Sequence, residues 1–154
     1  MRTVSVVGIL CAALLGALWL YSYPRASITP VSDTILPTKH ITIGNVPLTV
    51  EVASTDSERE QGLSGREGLA ENTGMLFVFA VPKLYGFWMK DMRFALDIIF
   101  VDASGSVVTI ASNLLPQTYP EVFQSKSPAL YVLEVPAGFA KEHGIAVGTK
   151  IVLQ

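Results

Sequence analysis

Apolar residues in this chain come in two textures. Over residues 3–23 they form one unbroken run without a charge, flanked by Arg2 and Arg25. From His40 onward they recur as short runs separated by Gly, Pro, Asn, Asp and Ser, the texture of β-strands joined by tight turns. HITI, a turn at Gly44-Asn45, and VPLTVEVA predict a hairpin or a pair of short strands. STDSEREQGLSGREGL is the best helical stretch. In it Thr55 and Glu58 form a capping box, each side chain satisfying an orphan backbone donor, and the glycines at 62 and 65 give the stop signal. MLFVF at residues 75–79 is continuously apolar and too short for a globular helix, so it reads as a strand buried on both faces.

Residues 86–90 begin the next extended piece, and residues 96–101 form a strand. The turn DASGS joins that strand to a hairpin partner at residues 107–111, and a further strand follows at 130–135. PAGFAKEHG predicts a single helical turn, with Pro136 at or before its start and Gly144 past its end, and residues 150–153 close the domain. Many short strands, one or two short helices and no βαβ alternation predict a mainly antiparallel β-sandwich or distorted barrel.

The apolar N-terminal run changes the organisation. About 20 apolar residues suffice to cross a bilayer as a helix. The run ends in bulky LWLYSYPR where a signal peptidase needs small residues, and Trp19, Tyr21 and Tyr23 resemble an interfacial aromatic belt. Residues 1–25 are therefore expected to be an uncleaved transmembrane anchor, with a removed signal peptide as the alternative. Residues 26–39, rich in Pro, Ser and Thr, read as a flexible linker, and residues 40–154 as one β-rich domain. The membrane is then a partner through the N-terminal helix. The domain would face the periplasm or the exterior, or be secreted if the segment is cleaved.

Charge and motifs narrow the chemistry. The single cysteine, Cys11, lies in the apolar run, so no disulfide is available to the domain. From His40 onward eight Lys and Arg face twelve Asp and Glu, and no basic stripe supports nucleic-acid binding. His40 and His143 lack metal-ligand spacing, and no nucleophile elbow, P-loop or dinucleotide fingerprint is present. Neither a metal nor a cofactor is expected.

The charges set into apolar runs remain. Strand alternation gives Asp97 the side of Ile99 and Val101, away from Leu96, Ile98 and Phe100, and puts Glu134 with Val132. A carboxylate taken out of water without a partner costs several kcal/mol or becomes neutral, so both should have partners, as members of ion pairs or as hydrogen-bond acceptors that fix strand register or a loop. The candidates are Arg59, Arg66, Lys90 and Arg93, arginine being favoured for its two-point grip on a carboxylate. The same alternation, applied to 86–90, places Phe87, Met89 and Asp91 opposite Trp88 and Lys90. A candidate polar site thus comprises Arg59, Arg66, Trp88, Lys90, Asp91, Asp97 and Glu134. The long segment NLLPQTYPEVFQSKSP offers Tyr119 and Phe123 as a movable lid or partner surface.

SEREQGLSGREGL, GMLFVF, FWMKDM followed by LDIIFVD, and PALYVLEVPAGFAKEHGIAVG occur in this order and at this spacing. Over residues 46–152 the chain resembles a bacterial and archaeal family known as domain of unknown function 192. The resemblance implies a compact jelly-roll-like or distorted-barrel fold, often behind an export signal, and no established activity. Asp91 departs from the asparagine common in that family after FWMK, and Thr149 stands where an acidic residue is usual.

These features together predict a membrane-tethered, envelope-facing module that binds a small molecule or an envelope protein without catalysis. The alternative is a hydrolase or lyase using Asp97 and Glu134 as acid and base, which needs the two carboxylates within about 10 Å of each other.

Overall fold

The computed structural model describes residues 35–154. The expected anchor at 1–25 and most of the linker lie outside the described residues. The first hairpin forms as the sequence predicts: β1 (Thr38–Ile43) pairs antiparallel with β2 (Val46–Ala53), Ile43 opposite Val46. Helix α1 (Asp56–Gln61) follows, capped by Thr55. The Thr55 hydroxyl accepts the Glu58 N–H at 3.2 Å, and the Glu58 carboxylate accepts the Thr55 N–H at 2.8 Å. These hydrogen bonds hold the exposed Glu58 carboxyl below its usual range.

Seven strands make one curled mixed sheet, a half-barrel. In chain order the remaining strands are β3 (Thr73–Lys83), β4 (Gly86–Phe87), β5 (Leu96–Val101), β6 (Val107–Leu114), β7 (Phe123–Gln124), β8 (Ala129–Pro136) and β9 (Ile151–Leu153). The sheet order is β6-β5-β8-β3-β2-β1-β9, with β4 and β7 forming a separate small ribbon. The two edges of the large sheet approach each other. Ser106 bridges Lys150, the Gly148 N–H donates to the Val107 carbonyl, and the Ile151 N–H donates to the Gly105 carbonyl. A second short helix, α2 (Phe139–Glu142), packs Phe139 and Ala140 into the domain.

Two expectations are corrected. The sheet is mixed, because β2 and β3 run parallel with α1 in the crossover between them. Parallel neighbours require such a crossover, and a lone one leaves no alternating pattern in the sequence. The extended piece at 86–90 stops at Phe87. Asp91 then adopts φ +56, a left-handed turn that Asn and Asp tolerate better than other side-chain-bearing residues. Face alternation therefore does not extend to Lys90 and Asp91. The same geometry gives a backbone reason for Asn or Asp at position 91, where the carbonyl also accepts the Gly65 N–H at 2.9 Å.

The sheet has a core on each face. Ile41, Ile43, Leu48, Val50, Leu76, Ile99, Val101, Val107, Leu133, Val135 and Ile151 join Phe139 and Ile145 in one cluster, to which all seven strands contribute. Met75, Phe77, Leu96, Ile98, Phe100 and Val132 join Leu63 and Met89 in the other. The alternation read from LDIIFV and LYVLEV is what divides them, and β5 is buried along its whole length.

Candidate functional site

Asp97 and Glu134 lie on adjacent strands but on opposite faces. In the β5–β8 register Asp97 stands opposite Val135, and Glu134 stands opposite Ile98. Residues directly across a ladder share a face. Asp97 therefore turns with Val135 toward the all-strand core, and Glu134 turns with Ile98 and Met75 toward the other. The sheet itself separates the two carboxyls, and an Asp97–Glu134 acid–base pair is not assembled.

Their surroundings also differ. Asp97 is fully buried and accepts three backbone hydrogen bonds: from the N–H groups of Asn113 at 2.8 Å, Gly138 at 3.1 Å and Ala140 at 2.9 Å. It fastens the start of α2 and the end of β6 to β5. Among the described residues no cation takes part, and N–H donors from the chain itself satisfy the carboxylate.

Glu134 is 5% exposed, and among the described residues its carboxyl has neither an ion pair nor a hydrogen bond. Removal from water, with no donor to compensate it, pushes this carboxyl up to about 8. It is mostly neutral at pH 7. The close approach of β3 and β8 at this point needs Gly74, since a Cβ there would lie 2.6 Å from the Glu134 carbonyl oxygen.

Glu134 lines a hollow of about 390 Å³ between the C-terminal half of α1, β3 and β4. Its walls include Phe77, Phe79, Tyr85, Phe87 and Trp88, with Met92 beside them. The rings brace one another. Phe87 meets Phe77 edge-on at 5.0 Å and Phe100 at 5.8 Å, and Phe79 stacks on Tyr85 at 3.6 Å. Arg59 lies at 5.1 Å over the Phe79 ring, and its donors go to Asp56 and to the carbonyls of Ser54 and Val78. A second, more polar hollow of about 480 Å³ adjoins the first, sharing Glu60, Gln61, Ser64 and Trp88, and it carries Lys90 and Asp91.

The other expected site residues scatter. Arg66 is bound at two points to Glu51, at 2.5 and 2.7 Å, which lowers the Glu51 carboxyl below its usual range. Arg93 pairs with Glu67. None of the four candidate cations reaches Asp97 or Glu134, because each meets a nearer carboxylate on the surface or, like Lys90, points outward and exposed. Trp88 does line the Glu134 hollow and is 54% exposed. Neither Tyr119 nor Phe123 lines it. Phe123 is tied into β7 opposite Phe87, while Tyr119 is exposed.

Phe79, Tyr85, Phe87 and Met92 were not singled out by the sequence. The signal was a two-residue spacing of aromatic rings, 77–79 and 85–87, which puts each pair on one side of an extended segment.

Residues 39–153 match the sequence model of the family described as uncharacterized ACR, domain of unknown function 192. Among solved structures, the chain is similar to a protein from Sinorhizobium meliloti 1021 provisionally named a transcription regulator. The identity is 32% and the TM-score 0.73, over 77% of this chain and 95% of that one. It is also similar to a protein of unknown function from Novosphingobium aromaticivorans DSM 12444, at 33% identity and a TM-score of 0.72, over 80% of this chain and 89% of that one. No curated protein matches the chain. With nearly the whole described domain matched, the chain belongs to the domain of unknown function 192 family.

Proposed function

We propose that this protein is a non-catalytic, small-ligand-binding module, tethered to a membrane by residues 3–23 and held on the side away from the cytoplasm. One observation carries the binding reading: a nearly buried carboxyl, Glu134, that lines an aromatic hollow and has no partner among the described residues. A folded domain keeps such a group at a cost of several kcal/mol unless it is neutral or something binds to it. An aromatic hollow with one or two polar groups is also the usual form of a ligand pocket, and about 390 Å³ lies near the lower end of the roughly 300–1,000 Å³ range for such sites. The tether reading is supported by the length of the apolar run and the aromatic residues at its end. The excess of acidic residues from His40 onward favours a partner other than nucleic acid, whatever the name given to the S. meliloti relative.

The binding reading is tested by thermal denaturation of the full-length protein with a panel of small metabolites, sugars and peptides. A ligand of the native state raises the melting temperature, and Glu134→Gln should reduce that rise. If no compound shifts the wild type, or if every shift survives Glu134→Gln, the hollow is not the site. The tether is tested by protease accessibility of the domain in intact and permeabilised cells. Digestion only after permeabilisation of the inner membrane would place the domain on the cytoplasmic side and contradict the reading.

A further inference from the structure

The geometry points to a small organic cation as the occupant of the Glu134 hollow: an ammonium or guanidinium head on a short apolar body, seated against the aromatic walls with the Glu134 carboxylate as its counter-charge. This rests on the hollow being a ligand site, as proposed above. Four observations lead to it. Among the described residues nothing donates to the Glu134 carboxyl, and a cation supplies both the missing donor and the missing charge. The rings of Phe77, Phe87 and Trp88 line the same hollow, and aromatic rings attract cations by their quadrupoles.

The wall already accepts a cation, since the Arg59 guanidinium lies over Phe79. That guanidinium is committed to Asp56 and two carbonyls, so it leaves Glu134 free. Finally, the charged residues lining the hollow are Arg59, Glu60 and Glu134, and Arg59 is already compensated by Asp56. The balance disfavours an anion. An inorganic cation such as calcium needs several oxygen ligands, and no group of three or more candidate metal ligands occurs among the described residues.

The other titratable groups lining the hollow are Arg59 and Glu60 from α1 and Tyr85 before β4. The flanking strands present only Met75, Phe77 and Ile98. The charge state of the Glu134 carboxyl itself therefore governs cation binding. Apparent affinity should rise by up to roughly tenfold per pH unit up to about 8 and then level off. A neutral ligand that accepts a hydrogen bond from the protonated carboxyl would show the reverse.

The test is calorimetric titration of the full-length protein at about pH 6 and about pH 9 with two matched pairs of probes. These are choline with its neutral isostere 3,3-dimethylbutan-1-ol, and propylguanidinium with propylurea. The expected result is at least about tenfold tighter binding of one cation over its isostere at the higher pH. That preference should weaken at the lower pH, disappear in Glu134→Gln and diminish in Trp88→Ala. Equal or tighter binding of the neutral probe, a preference that survives Glu134→Gln, or affinity falling with pH would overturn the cation while leaving a binding site. So would silence from all four probes while a neutral or anionic compound stabilises the wild type in a Glu134-dependent way. If nothing stabilises the wild type, the binding reading fails and this inference fails with it.

Discussion

Asp97 and Glu134 make a natural comparison. Both are carboxylates in the interior of a β-domain, on neighbouring strands, one register step apart. Among the described residues Asp97 accepts from three backbone donors, and Glu134 from none. A buried polar group with all its partners holds a structure together, whereas one without partners weakens it. The difference separates a structural carboxylate from one whose retention calls for another explanation. The first joins β5, β6 and α2 on one face of the sheet, and the second lies at an opening on the other.

The largest effect should come from Asp97→Ala. It strands three buried N–H groups and is expected to destabilise the domain by on the order of 5 kcal/mol, or to prevent folding. Asp97→Asn, which keeps one acceptor oxygen, should cost less. Denaturant unfolding measures both. A loss below about 1 kcal/mol for Asp97→Ala would mean that water replaces the carboxylate easily, and the contrast would dissolve.

Glu134→Gln should have the opposite sign at alkaline pH. In the unfolded chain the carboxyl titrates near 4.5, and in the folded protein near 8. Between these values the folded protein keeps a proton that the unfolded chain has released. Stability therefore falls as pH rises, starting above about 4.5 and complete above about 8. The total is on the order of 5 kcal/mol. Glu134→Gln has no such slope, so it should match the wild type near pH 4 and exceed it near pH 9. Parallel stability–pH curves for the two proteins would contradict this.

The same comparison shows what the sequence could reveal. The division of LDIIFV and LYVLEV into two faces was legible, because alternation is a property of any strand. So were the first hairpin and the Thr55–Glu58 capping box, whose partners lie within a few residues. The partners of Asp97 were not. Backbone N–H groups of Asn113, Gly138 and Ala140 leave no trace in residue identity, so the sequence leaves open whether an ion pair or a hydrogen-bond donor satisfies Asp97. The opposite orientation of Asp97 and Glu134 required the β5–β8 register, which no single strand specifies. Trp88 was found at the hollow because it is conspicuous. Phe79, Tyr85 and Phe87 were missed because an aromatic in an apolar run resembles ordinary core.

Two smaller effects sharpen the contrast. Thr55→Ala removes the cap of α1 and should cost about 1 kcal/mol. Because α1 walls the Glu134 hollow and does not touch Asp97, loosening it should also move the Glu134 carboxyl down toward its ordinary value. Thermal unfolding and carboxyl titration would read the two effects, and loss of stability without that downward movement would separate α1 from the burial of Glu134. The smallest effect belongs to Arg66→Met, which breaks a half-exposed ion pair with Glu51. It should cost about 0.5–1 kcal/mol and leave ligand-induced stabilisation unchanged. A larger loss, or altered ligand response, would bring Arg66 back into the site.

The most direct measurement is the pH titration of the Glu134 side-chain carboxyl by carbon-13 NMR in the full-length protein, assigned by comparison with Glu134→Gln. A midpoint near 8 is expected from a carboxyl that burial largely removes from water and that meets no cation among the described residues. A midpoint near 4.5 would mean that water or an unrecognised partner reaches it, and the hollow would lose the feature that marks it as a site.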